Sequence, residues 1–234
     1  MKLHDPEIVR DEYATEARLA VRKGANARGG GVDARAMVFS AIAEVRPKRV
    51  LEVGPGEGEL AEEVQSKLAC EVVAVDQSPR MVELTRARNV DARLGDVCDL
   101  PFDDESFDCA VAAWMLYHVA DIDLALSELA RVVRPTGRLV AVTNSRDHWR
   151  ELKELAGVHR FSTTFDAEEA GELLTRHFGR VDARDASGWL TFANRDEAQT
   201  FLAATIIFKD RELPEFEGPL TVRRTPVVFV ADKT

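Results

Sequence analysis

Five apolar runs rich in β-branched residues recur between residues 49 and 143, and they leave few folds open to the chain. They are RVLEV (49–53), EVVAV (71–75), NVDARL (89–94), FDCAVAA (107–113) and GRLVAVT (137–143). Segments 57–68, 79–88 and 122–133, which lie between them, carry helical periodicity. Strands that are apolar on both faces need helices on both sides of their sheet, because one covered face would leave the other in water. The expected fold is α/β, a doubly wound and mostly parallel sheet.

Local punctuation agrees. Ser78 before Pro79, and Asp121 before the Leu-rich 122–133 segment, are good N-cap residues. Pro135 and Gly137 end that segment and turn the chain into the fifth strand. Toward the N-terminus, residues 5–23 and 33–45 read as helices joined by NARGGG (26–31), a loop or hinge. Beyond the fifth strand, helices are expected at 146–157, 167–177 and 196–208, strands at 179–185, 189–192 and 225–232, and a loop at 212–220. This divides the chain into an N-terminal helical segment (1–35), a core (36–145) and an elaboration (146–234).

Composition narrows the function. With 45% hydrophobic and 31% charged residues among 234, the chain is ordinary globular material. Its longest uncharged stretch, Cys109–Ala120, is far short of the roughly 20 apolar residues that cross a bilayer, and MKLHDPEIVRDEY lacks the apolar core of a signal peptide. A cytoplasmic location is expected. Cys70, Cys98 and Cys109 stand apart from one another and from histidines, so no metal site is expected. The net charge of −10, with 18 acidic against 8 basic side chains in residues 50–145, opposes nucleic acid and anionic membranes. The expected partner is a small molecule, and the expected state a monomer or homodimer. Arg18, Arg22, Lys23 and Arg28 form a basic cluster, either solvated helix charge or an attractor for an anionic substrate.

The first strand runs into Glu52-Val53-Gly54-Pro55-Gly56-Glu57-Gly58, where a ligand can approach the backbone and the unpaired N–H groups of a helix start. The third glycine falls one residue earlier than in the G-x-G-x-x-G of nicotinamide and flavin proteins, which favours a ligand without a pyrophosphate. Asp76 ends the second strand, where a carboxylate can accept from both hydroxyls of a ribose; capping the next helix is its competing role. Asp96, in Gly95-Asp96-Val97, is placed to accept from an exocyclic amine such as that of adenine.

Four ordered motifs, VLEVGPGEGEL, AVDQSPRMVE, GDVCDLPFDDESFD and RVVRPTGRLVAVT, make residues 36–145 resemble the class I S-adenosylmethionine-dependent methyltransferases, in particular the small Rossmann-like, type 11-like group. The resemblance implies a seven-stranded, mostly parallel sheet with helices on both faces. It also implies S-adenosyl-L-methionine as cofactor and S-adenosyl-L-homocysteine as product. On the resemblance, 1–35 would be a lid, 36–145 a cofactor-binding core, and 146–234 the part that completes the sheet and a substrate pocket. It assigns Glu52, Gly54, Gly56 and Gly58 to the methionine side, Asp76 to the ribose, Asp96 and Val97 to the adenine, and Gln77 and Met81 to the flanks of the adenosine. Ala112 and Ala113 would turn carbonyls toward the cofactor's amino group, with Trp114 beside them, and Tyr13 would lie in the closing lid. Thr136 departs from the pattern, since the family usually has glycine there.

Methyl transfer from a sulfonium is an in-line displacement with an excellent leaving group, so alignment and exclusion of water outweigh general-base catalysis. Tyr117, His118 and His148 are the candidate catalytic residues; a structural role competes for His118 and a helix cap for His148. Trp114, Trp149, Phe161, Phe165, Trp189 and Phe192 are expected to roof an enclosed pocket. The implied function is methyl transfer to a small metabolite. The alternatives are a cofactor-binding sensor or partner subunit without chemistry, and an rRNA-methylating branch that shares the pattern at 143–148.

Overall fold

The computed structural model describes residues 3–158, 162–208 and 210–234. Helices α1 (Pro6–Glu12) and α2 (Ala17–Ala27) lead through the short strand β1 (Gly30–Gly31) into α3 (Ala34–Glu44). Strands and helices then alternate: β2 (Arg49–Val53), α4 (Glu59–Leu68), β3 (Glu71–Asp76), α5 (Pro79–Arg86), β4 (Asp91–Leu94), β5 (Phe107–Ala113), α6 (Ile122–Val132) and β6 (Val133–Asn144). The remaining elements are α7 (Arg150–Leu155), α8 (Ala167–Thr175), β7 (Arg180–Asp185), β8 (Gly188–Phe192), α9 (Arg195–Ala203), β9 (Leu220–Arg224) and β10 (Pro226–Asp232).

The main sheet has seven strands in the order β4-β3-β2-β5-β6-β10-β7. Pairing is parallel from β4 through β6, and β10 runs antiparallel to both β6 and β7. From β2 the chain winds outward through β3 and β4, then returns to the other side as β5, so the winding reverses between β2 and β5. Such a reversal leaves a crevice outside the carboxyl ends of the strands. Both faces are covered. Leu126 and Leu129 of α6 and Leu174 of α8 pack with Phe165 on one face; Val38 and Ile42 of α3 and Val64 of α4 pack on the other.

Helix starts follow the sequence. Ser78 accepts from the Met81 N–H with Pro79 in the first turn, and Asp121 accepts from the Leu124 N–H. The buried Asp108 carboxylate accepts the backbone N–H groups of Lys48 and Arg49, which fixes the start of β2 against β5. Among the described residues no helix is long and apolar enough to cross a membrane.

Four expectations are corrected. Residues 5–23 are two helices, broken over 13–16. NARGGG is not a free hinge, because Gly30 and Gly31 pair antiparallel with Trp189 and Gly188. A Cβ on Gly30 would lie 2.4 Å from the Trp189 ring, so this close approach requires glycine. WLTF therefore belongs to a second sheet, β1-β8-β9, whose third strand, Leu220–Arg224, was not expected from the sequence. The 196–208 helix stops at Ala203 and gives way to a 3-10 turn at Ile206–Phe208. Phe192, Phe201, Phe208 and Val222 fill a third apolar cluster in this part of the chain.

Thr136, the departure noted above, takes φ 65, the left-handed region where a β-branched residue is strained by roughly 1–2 kcal/mol. Thr136→Gly is expected to raise the urea-unfolding free energy by ~0.5–1 kcal/mol with an unchanged m value, the relief of strain outweighing the extra freedom of glycine in the unfolded chain. Unchanged or lower stability would contradict the strain.

Candidate functional site

The crevice opens beside Glu52, which is 4% exposed at the carboxyl end of β2. Gly54, Gly56 and Gly58 follow at φ 65, 57 and 77. Close packing reinforces the need for glycine: a Cβ would lie 2.7 Å from Met115 at Gly54 and 2.8 Å from Thr85 at Gly58. The Gly54 N–H donates to Val75 O at 2.8 Å, which holds the loop against β3. Gly58 at the N-cap of α4 has no side chain to cap it, and in the first turn the Ala61 N–H turns to the Glu52 carboxyl.

Asp76 ends β3 and accepts the Ser78 N–H at 2.8 Å. Burial pushes its pKa up to about 6, against the N–H groups of Ser78, Gly56 and Gln77. It does not cap α5, a role held by Ser78. Burial also pushes Glu52 up to about 8; Arg35 and the Ala61 amide oppose the rise, and the Asp76 charge adds to it. Two carboxyl groups on adjacent strands are thus short of compensating donors, which suits a ligand that brings hydroxyls and positive charge.

The other expected cofactor residues are placed as follows. Met81 is core, 1% exposed. Gln77 is exposed, as is Asp96, whose carboxylate accepts the Cys98 N–H at 2.9 Å beside buried Val97. Ala112 and Ala113 end β5, and Trp114 turns away at φ 57 with its N–H on Val142 O at 3.0 Å. All except Met81 lie at or just beyond the carboxyl ends of β2, β3, β4 and β5.

The N-terminal helices lie over this face. Ser78 Oγ donates to Tyr13 O at 2.9 Å, and Arg80 makes a two-pronged pair with Glu16 at 3.0 and 2.9 Å. Lys23 pairs with Glu57 and Glu59, and Leu19 lies 3.5 Å from the position a Gly56 Cβ would take.

The expected bases are corrected by their hydrogen bonds. His118 Nδ1 lies 3.0 Å from Leu3 O, and a carbonyl only accepts, so Nδ1 carries the proton. Nε2 then accepts the Tyr13 O–H at 3.0 Å, and its lone pair is engaged. Burial lowers His118 to about 4 and raises Tyr13 to about 12 and Tyr117 further. In this arrangement neither His118 nor Tyr117 serves as a base near neutrality. His148 Nδ1 accepts the Thr225 N–H at 2.8 Å, and burial, with Lys153 and Arg224 nearby, keeps the ring neutral. Its helix-cap role is also corrected, since Trp149 occupies the cap of α7 without a side-chain bond.

A cavity of about 110 Å³ adjoins this cluster, with Tyr13, Tyr117, His148, Trp149, Phe165 and Ile206 in its wall. Of the expected roof, Phe192 is buried in the third apolar cluster, Trp189 is 51% exposed elsewhere, Trp114 packs against the main core, and Phe161 lies outside the described residues. The sequence reading missed Glu12, Asn144 and Lys153, which also line it. Glu12 is buried and paired with Arg18 and Arg22, and only this long-range packing marks it. Among the described residues no group of three His, Cys, Asp or Glu side chains could hold a metal.

Residues 51–141 match the model of the methyltransferase domain family. An uncharacterized methyltransferase of Mycobacterium tuberculosis is 40% identical over 116 residues, 47% of this chain and 47% of the relative. A demethylmenaquinone methyltransferase of Thermus thermophilus is 38% identical over 106 residues, 42% of this chain and 48% of the relative. The chain thus spans about half the length of the curated relatives it matches. The YcgJ protein of Bacillus subtilis shares the fold at a TM-score of 0.61 and 20% identity, covering 85% of this chain and 97% of that one. A geranyl diphosphate methyltransferase in complex with GPP and sinefungin does so at 0.57 and 14%, covering 86% and 76%.

The two raised carboxyl groups make stability depend on pH. Their contribution is complete below pH ~4, the unfolded range, and is lost as pH rises through about 6 for Asp76 and about 8 for Glu52. His118 runs oppositely: its contribution is complete above 6.5 and lost as pH falls toward about 4. Between pH 6.5 and 8, Glu52 dominates. Urea denaturation is expected to show stability falling there with a slope approaching ~1.4 kcal/mol per pH unit, and Glu52→Gln should flatten that limb. An equally steep fall in the variant would place the titration elsewhere.

Proposed function

We propose that this chain, a class I methyltransferase by its residues 51–141 and its sheet, transfers a methyl group from S-adenosyl-L-methionine to a small-molecule acceptor. The observation that carries the reading is the pair of carboxyl groups at the ends of adjacent strands, buried Glu52 and half-buried Asp76, beside a glycine loop at the reversal of the sheet. A nucleoside with vicinal hydroxyls, an ammonium and a sulfonium fits that donor shortage. Asp76 would take the ribose hydroxyls, and the backbone of Gly54, Gly56 and Gly58 would hold the methionine portion with Glu52 behind it. Asp96 and Val97 would receive the adenine. When bound, the cofactor supplies an electrophilic methyl group.

The chain's own work is then alignment and drying. The lid segment from Tyr13 to Lys23 covers the loop, and the cavity beside Tyr117 receives the acceptor. No free base is needed for an acceptor that arrives with a lone pair. The small-molecule part of the reading is supported by the acidity of residues 50–145 and by a relative named for demethylmenaquinone. The same site without transfer, a sensor or partner subunit, is separated by labelled methyl transfer into a metabolite extract.

Calorimetry is expected to show binding of S-adenosyl-L-methionine and S-adenosyl-L-homocysteine but not of NAD. Asp76→Ala should weaken that binding ~10–100-fold, the loss of charge-assisted hydrogen bonds. Wild-type affinity should also drop as pH falls below about 6, where Asp76 takes up a proton and loses acceptor capacity. Binding of NAD in place of either ligand would overturn the reading.

A further inference from the structure

The cavity carries two N–H donors that the cofactor reading leaves unused. His148 is 8% exposed, and because Nδ1 accepts from Thr225, the ring proton sits on Nε2, where no acceptor among the described residues receives it. The Trp149 ring centre lies 4.3 Å from that of His148, and the indole N–H is buried without a partner among the described residues. Both residues belong to the cavity wall.

Trp149 is also held at φ 55 and ψ 38, a left-handed conformation that costs a bulky residue roughly 1–3 kcal/mol. Its ring is fixed by Phe201 at 5.0 Å and Phe208 at 6.4 Å. Phe165, Ile206 and Ile207 supply apolar wall, and the charged groups that share it are paired: Glu12 with Arg22, Asp166 with Arg146, and Lys153 through Nζ to Arg146 O at 3.0 Å. A volume of about 110 Å³, where one water needs ~10–15 Å³, has room for roughly eight to ten heavy atoms, a single substituted ring.

On the methyltransferase reading above, we infer that this cavity takes a single-ring acceptor bearing an acidic hydroxyl, a phenol or enol, whose oxygen receives the His148 Nε2–H and the Trp149 Nε1–H. Two neutral donors on one oxygen stabilise its anion more than its neutral form, so the hydroxyl ionises without a protein base. Its proton leaves to solvent. One oxygen lone pair forms the new O–CH₃ bond, and the CH₃–S bond breaks with its electron pair staying on sulfur, which becomes a neutral thioether. The products are a methyl ether, S-adenosyl-L-homocysteine and one proton.

The test uses 4-nitrophenol, whose phenolate absorbs visibly, titrated across pH with and without S-adenosyl-L-homocysteine; 4-nitrobenzoate is the competing probe. The bound phenol is expected to ionise about one pH unit below the free one. Trp149→Phe keeps the ring packing without the N–H, and His148→Asn keeps an acceptor for Thr225 while its shorter amide withdraws the N–H from the Nε2 position; each should abolish at least half of the shift. The inference is overturned by three results: no 4-nitrophenol binding, an unshifted or raised ionisation, or tighter binding of 4-nitrobenzoate. It is equally overturned if both variants keep the full shift. Failure of S-adenosyl-L-homocysteine to bind while 4-nitrophenol binds and shifts would overturn the methyltransferase reading and leave the phenol site standing.

Discussion

A carboxyl group inside a parallel sheet is tolerable only where the fold brings it to an edge that something charged can reach. Glu52 stands at such an edge, between Leu51 and Val53, which are fully buried on β2. Because β2 pairs with β3 on one side and β5 on the other, its carboxyl end is the point at which the winding reverses. The glycine loop begins two residues later, and Asp76 ends the neighbouring strand. Moved to an outer strand, the same residues would meet solvent, and the burial that raises Glu52 would vanish.

Over that cleft the N-terminal helices are held by many small terms. The Arg80–Glu16 and Lys23–Glu59 pairs are about one-third to two-fifths exposed on each side, and pairs of that exposure contribute ~0–1 kcal/mol each. The buried contacts are more selective. His118 is bonded on both ring nitrogens by residues of the N-terminal segment, Leu3 and Tyr13, so its tautomer depends on that segment's being docked.

The parallel strands and the glycine loop were legible because each rests on local pattern: apolar runs of strand length, glycines where φ is positive, caps one residue ahead of a helix. The chemistry of the histidines was not. Whether His118 and His148 carry a usable lone pair is decided by Tyr13, Leu3 and Thr225, which no spacing in the sequence associates with them. The second sheet escaped for a related reason, since a two-residue strand of glycines has no periodicity to read and exists only by its pairing with β8. Thr136 lies between the two cases: its departure from glycine was visible, and its left-handed backbone shows what the glycine would supply.

That glycine pair also sets an order of assembly. Residues 34–144 hold every strand of the parallel portion and can begin to collapse while the ribosome is still extending the chain. The segment at Gly30–Gly31 finds its edge only when residues 188–189 have emerged, after the whole parallel portion. Such long loops close late, because their entropy is lost before their contacts repay it. The nascent chain can therefore dock its N-terminal helices on the cleft through Arg80–Glu16, Lys23–Glu59 and Tyr13–His118 first, and the pairing of β1 with β8 is the later fastening.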